Sequence, residues 1–196
     1  LILWGTFMKL VLADNIDLLI GPILDSPKDQ TGMSVLFSIL IYPFQVYGDL
    51  GGYTLVAIGS AKCLDIDVRK NFNNPFSATS MTDFWRRWHI SLIEWINDYI
   101  FKPINFYLRN LKKYAIVIAL TSTFLIAGIW HKVSLGFIIW GLIQSTILII
   151  EFLFKRKSKS KNIILVVFYK RISTYLMFAF SLIFGGAVAN YNDSII

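Results

Sequence analysis

The sequence predicts an all-α, polytopic membrane protein, a helical bundle with one helix that is re-entrant or lies in the membrane interface. Three observations carry this. Of the 196 residues, 56% are hydrophobic and the mean hydropathy is +0.60, more apolar surface than a water-soluble domain of this size needs. The apolar residues come in runs, several of them long enough to cross a bilayer. The basic residues behind the net charge of +7 stand in short clusters between those runs, the pattern of cytoplasmic loops. They form no continuous basic stripe, so no nucleic-acid partner is expected. The chain opens on Leu1 with no signal-peptide pattern. It is therefore expected to be an internal or C-terminal piece of a longer protein, one partial membrane domain over residues 1–196.

Taken in order, residues 1–12 read as the tail of a span that leaves through Ala13-Asp14-Asn15. A second span covers 33–47, contains Pro43, and runs on through Gly48-Asp49-Leu50-Gly51-Gly52 to Ala61. Glycine-rich interruptions at membrane depth are tolerated where the backbone is buried in protein or lines a wet cavity, so a break is expected there. The stretch 65–109 opens with Asp65, Asp67, Arg69 and Lys70 and the turn-rich Asn71-Phe72-Asn73-Asn74-Pro75. Ser80 with Asp83 three residues on has the spacing of a capping box, which starts a helix near Met81. Along it Phe84, Trp85, Trp88, Leu92, Trp95, Ile96 and Tyr99 fall at helical spacing as one broad aromatic face, with His89 on its flank. This helix is expected to end before Pro103 and to be interfacial or re-entrant.

Residues 115–130 make a short span ending in Gly128-Ile129-Trp130-His131. The cleanest span is 134–154, enough for roughly 30 Å of hydrocarbon, with Gln144 and Glu151 as its strongly polar members. A last span covers 174–189, loosened by Gly185-Gly186. Arg109, Lys112 and Lys113 precede this group, and Lys155, Arg156, Lys157, Lys159 and Lys161 follow 134–154. Placing both clusters in the cytoplasm sends 115–130 outward and brings 134–154 back, with Trp130 to Val133 at the non-cytoplasmic turn. A helix as short as 115–130 holds His131 below the headgroups.

The chain has two histidines, His89 and His131, and each directly follows a tryptophan. An imidazole kept neutral by apolar surroundings can act as a general base on a hydroxyl. The alternatives are a helix-end or aromatic-belt histidine at 131 and a hydrogen-bonded packing residue at 89. Two histidines without clustered cysteines or a further carboxylate do not complete a zinc shell, so no metal is expected. Arg86 and Arg87 fall in the first two turns of their helix, where the macrodipole disfavours cations. An anionic headgroup, a donor phosphate or Asp83 would offset that cost, and interface snorkelling is the alternative. Asp49, among glycines in an apolar stretch, is a functional candidate as an intramembrane carboxylate, or else it marks the membrane–water boundary. Cys63, the single cysteine, excludes an internal disulfide and reads as a packed small residue, with a reactive thiol as the alternative. There is neither a glycine-rich phosphate loop nor a Gly-x-Ser-x-Gly elbow.

Asn71-Phe72-Asn73-Asn74-Pro75-Phe76, then Thr82-Asp83-Phe84-Trp85-Arg86-Arg87-Trp88-His89-Ile90-Ser91-Leu92, then Gly128-Ile129-Trp130-His131 closely resemble the membrane-bound O-acyltransferase (MBOAT) family. Trp4 to Lys9 through Asn15, and Tyr42-Pro43-Phe44-Gln45-Val46-Tyr47, resemble its bacterial alginate O-acetylation branch, and the likeness covers residues 4 to 150. The resemblance implies an MBOAT-like bundle lacking the family's N-terminal helices, and transfer of an acyl group from a thioester to a hydroxyl. In it His131 matches the catalytic histidine and His89 the second one, while Arg86, Arg87 and Asp49 are the candidates for holding substrate or donor. No bound cofactor is implied; the donor, acetyl-CoA or an acyl-carrier thioester, is a co-substrate. The implied partners are membrane lipid, the donor or its carrier protein, and a polysaccharide acceptor, reached through periplasmic or extracellular acetyltransferases. The implied location is the bacterial inner membrane, crossed several times. D-alanyl transfer of the teichoic-acid type is the nearest alternative. A transporter or flippase subunit is the distant one, and it would repeat ionisable residues along several spans. Lys132 stands where that branch has a small residue.

Overall fold

A computed structural model describes residues 1–154 and 163–185. Every regular element among them is helical, and they fall into two compact units, residues 1–73 and the chain from Asn74 onward.

In the first unit, α1 (Ile2–Thr6), a π-helical stretch (Phe7–Ala13) and α2 (Asp14–Asp25) form one helical path. The exit expected at Ala13-Asp14-Asn15 does not occur, because side chains satisfy the wide turn locally. Asn15 Nδ2 donates to the carbonyls of Val11 (2.8 Å) and Leu10 (3.3 Å), and Lys9 reaches Asp14 across the turn. Helix α3 (Gly32–Cys63) starts at Thr31, whose hydroxyl accepts the Ser34 N–H. It then runs 32 residues without interruption, so the break expected at Gly48 to Gly52 is absent. The glycines serve packing. A Cβ on Gly5 would lie 2.5 Å from the Gly52 carbonyl oxygen, and one on Gly52 2.7 Å from that of Gly5. Two backbones meet where no side chain fits, as small residues allow between membrane helices. Cys63 ends α3 exposed rather than packed.

The second unit opens with a 3-10 turn (Pro75–Ser77) and continues through α4 (Met81–Trp85), α5 (Ile90–Ile96), a π-helical stretch (Asn97–Phe101) and α6 (Lys102–Tyr107). Then come α7 (Lys113–His131), α8 (Leu135–Leu153) and α9 (Ile163–Gly185). Together with α3, the last three are long and apolar enough to cross a membrane. Helix α9 begins well before the expected residue 174, while the basic cluster at 155–161 and Gly186 lie outside the described residues. Helices α7 and α8 are clamped by glycines, since a Cβ on Gly128 would strike the Phe137 carbonyl and one on Gly141 that of Phe124. Helix α4 packs on both α8 and α9.

The single helix expected from Met81 to Pro103 is interrupted. The N–H groups of Arg87 and Trp88 both turn back to the Phe84 carbonyl at 2.9 and 3.0 Å and close α4. His89 adopts left-handed dihedrals (φ 46°, ψ 51°), and its carbonyl accepts the Ile93 N–H as α5 starts. This turn redirects the second half, so the aromatic residues do not share one face. Phe84, Trp85 and Trp88 are buried, whereas Trp95 and Tyr99 are exposed. Pro103 does not end the path either. It sits in the first turn of α6, just after the π-helical stretch, where its missing N–H is not needed.

Candidate active site

Both histidines belong to the second unit, and different backbone devices place them. His131 is the last residue of α7, one turn beyond the Gly128 contact with α8. Its ring stacks on Phe137 (centroids 5.6 Å apart, 17° between planes) and meets the Trp140 ring edge-on at 5.8 Å. Trp130 closes a further side at 4.9 Å. The residue nonetheless remains exposed overall. His89 occupies the left-handed turn between α4 and α5 and is half-buried. Non-glycine residues in that region are uncommon, histidine among those that tolerate it better, and such strain gathers at functional positions. Burial pushes the His89 imidazole below its ordinary range, keeping it neutral near pH 7. The two imidazoles lie within electrostatic reach of each other, so the fold brings together two residues that the sequence separates by four helical elements.

A buried polar chain links α4, α8 and α9. Trp85 Nε1 donates to Gln144 Oε1 (3.3 Å), Gln144 Nε2 donates to Ser181 Oγ (2.6 Å), and Ser181 Oγ donates to the Phe178 carbonyl (2.7 Å). The indole N–H of Trp140, one turn before Gln144, is buried and finds no acceptor among the described residues. Lower on α8, the Glu151 carboxylate accepts the Met81 N–H (2.7 Å), the Thr82 N–H (2.9 Å) and the Thr82 hydroxyl (2.8 Å). In the sequence Gln144 and Glu151 stand only as polar members of a span. The signal available was their spacing: seven residues apart on a helix, they share one face.

The arginines separate. They do not sit in the first turns of a long helix; α4 ends at Trp85, so Arg86 and Arg87 stand at its C-terminal end and the expected dipole penalty is absent. Arg87 Nε donates to Asp83 Oδ1 (2.8 Å) and its guanidinium reaches Ser77 Oγ. Burial acts upward on the Asp83 carboxyl, yet the Arg87 hydrogen bond and the Thr79 N–H hold it below its usual range. Ser80 caps α4 by accepting the Asp83 N–H (3.0 Å), as the capping spacing requires. Arg86 instead lines a cavity of about 480 Å³ with Thr82, Trp85, Glu94 and Asn97, walled on the apolar side by Leu120, Phe124, Leu148 and Phe152. That is within the usual size of a small-molecule site. Neither histidine lines it, but Trp85 does, and the same ring packs on Trp140 at 6.0 Å.

Asp49 is in the first unit and is ion-paired. Lys9 lies 2.7 Å from Asp49 and 2.8 Å from Asp14, and those two carboxylates raise the lysine above its usual range. Among the described residues, no three His, Cys, Asp or Glu side chains gather as a metal site.

Residues 23–189 match the model of the MBOAT, membrane-bound O-acyltransferase, family. The match thus reaches through α9, beyond the likeness expected to end near residue 150. Similar proteins include a peptidoglycan O-acetyltransferase of Helicobacter pylori, 36% identical over 140 residues, 71% of this chain and 26% of the relative. A probable alginate O-acetylase AlgI of Azotobacter vinelandii is 35% identical over 150 residues, 75% of this chain and 29% of the relative. A teichoic acid D-alanyltransferase of Bacillus subtilis is 31% identical over 123 residues, 60% of this chain and 31% of the relative. The matched segment is thus between 26% and 31% of the length of these relatives.

Proposed function

The chain belongs to the membrane-bound O-acyltransferase family, and from that premise we propose that it carries the catalytic part of an enzyme moving an acetyl group from a thioester to a hydroxyl of a cell-surface polysaccharide. The observation that supports this best is that the His131 imidazole, walled by Phe137 and Trp140, lies within electrostatic reach of the second imidazole, His89. In the reaction, His131 takes the proton of the acceptor hydroxyl as its oxygen attacks the thioester carbonyl. The neutral His89 ring donates its N–H to the developing oxyanion. The carbon–sulfur bond then breaks, and the departing thiolate receives the proton from His131. The ester is left on the acceptor.

Arg86 meets a phosphate of the donor, whether a coenzyme A thioester or an acyl carrier's arm, from the rim of the 480 Å³ cavity. Arg87 supports it by fixing the same turn through Asp83. Asp49, held by Lys9, offers a polar station for substrate in the first unit. The setting is the bacterial inner membrane, crossed several times, with lipid around the bundle and secreted acetyltransferases as onward partners. D-alanyl transfer is the second reading, supported by the similarity to a teichoic acid D-alanyltransferase.

The test uses the full-length protein in membranes. His131→Ala abolishes acyl transfer while expression and insertion persist; turnover that survives removes the base assignment. Arg86→Ala raises KM for the donor at least about tenfold, the loss of one charge-assisted contact, and leaves the acceptor KM unchanged. Equal effects on both substrates would count against the donor role.

A further inference from the structure

Gln144 is the least expected residue of the second unit. It is fully buried in a membrane-spanning helix, where an amide is costly unless its polar atoms are paired. It is paired on two sides, accepting from Trp85 of the α4–α5 segment and donating to Ser181 of α9. The bond to Trp85 holds a ring that also packs against Phe84, Phe124, Trp140 and Phe178. From Trp85 to His89 the chain has little freedom. Arg87 and Trp88 turn back onto the Phe84 carbonyl, and His89 opens α5 with its own. The orientation of Trp85 therefore carries over to the turn that presents His89. A left-handed histidine persists only where its surroundings over-determine it, and α8 holds this segment through Gln144 at Trp85 and, at the start of α4, through Glu151.

We infer that Gln144 is a positioning residue for His89: by bridging Trp85 and Ser181 it fixes the strained turn and so the aim of the imidazole. The inference rests on the acyl-transfer reading only in giving His89 a task. Without the amide, the Trp85 indole N–H has no acceptor in its buried site. The ring then shifts, the turn relaxes, and water reaches His89. The half-burial that disfavours the imidazolium is reduced, with His131 as the nearby titratable group.

The experiment follows His89 directly. In full-length protein labelled with 15N-histidine, the His89 resonance is assigned by its loss in His89→Gln. In Gln144→Met, which keeps the volume and removes both hydrogen bonds, its titration midpoint rises towards the ordinary histidine value. Trp85→Phe, which keeps the ring and removes the N–H, moves it the same way. The double variant moves it no further than either alone, because both act through one bond. An unmoved midpoint in Gln144→Met, or shifts that simply add, overturns the inference. Should Gln144→Met fail to accumulate in membranes, Trp85→Phe alone decides, since it removes the same bond: an unmoved midpoint there overturns the inference. A shifted midpoint with unchanged acyl-transfer rates supports the positioning and removes His89 from the proposed reaction, so the two readings fail separately.

Discussion

Glu151 gives the sharpest check on how the second unit is held together. Its carboxylate receives three donors at the start of α4: the Met81 and Thr82 N–H groups and the Thr82 hydroxyl. The first N–H groups of any helix lack partners within it, and here the Ser80 hydroxyl serves only Asp83. In Glu151→Ala the exposed Thr82 donors turn to water at little cost, but Met81 is fully buried and its N–H is left dry. A buried donor without an acceptor costs about 1–3 kcal/mol, so the loss is about 2 kcal/mol. Glu151→Gln keeps one carbonyl oxygen and loses about half of that. Amide hydrogen exchange over 81–85 measures it in detergent-solubilised protein. A loss of 2 kcal/mol raises local opening about thirtyfold at 1.36 kcal/mol per decade. Amides in the middle of α7 serve as the internal reference and stay unchanged. Exchange over 81–85 within about threefold of wild type in Glu151→Ala would refute the carboxylate clamp.

Two further outcomes follow from the same geometry. Gly128→Ala puts a methyl against the Phe137 carbonyl, and because backbone cannot step aside the overpacking costs about 2–3 kcal/mol. A thermal melt that matches wild type would show that α7 and α8 are not in contact there. For His89, burial sets the folded pKa below the ordinary value of about 6.5. The unfolded chain then binds the proton first. Its contribution to stability is complete above about pH 6.5 and is lost as pH falls through the folded value. Melts from pH 8 to 5 therefore fall less steeply in His89→Gln than in wild type, and identical slopes would sink the assignment.

Much of the architecture was legible because bilayer thickness dictates helix length. The 134–154 run matches α8, and 115–130 matches the core of α7. What escaped was decided by tertiary contact. Glycines 48, 51 and 52 read as a break, since glycine weakens an isolated helix. In the fold Gly52 lets α3 pack against α1 at backbone distance. The continuous aromatic face from Phe84 to Tyr99 rested on unbroken 3.6-residue periodicity, which one left-handed residue defeats. No local pattern announces that residue; His89 is held there by partners far away in sequence. For the same reason Arg86 and Arg87 look alike in the sequence, although Asp83 engages one and a cavity faces the other. The histidines stood out through their tryptophan neighbours, but their convergence depends on α8, which carries neither.

That dependence has a consequence for how the site tolerates change. His131 is set by a helix end that Gly128 presses onto α8, with Phe137 and Trp140 as its walls. His89 is set by a strained turn after α4, a helix that α8 grips at its end through Gln144 and at its start through Glu151. One face of one helix thus governs both imidazoles, although it touches them by unrelated means. A substitution that rotates α8 would disturb the two together, whereas a loss confined to α4 or to the end of α7 would disturb one. In the proposed reaction the attacking hydroxyl is deprotonated while the oxyanion developing on the thioester carbonyl is stabilised, so misplacing either ring stops it. The residues most sensitive to mutation should therefore lie along α8 at 137, 140, 141, 144 and 151, and not only at the histidines.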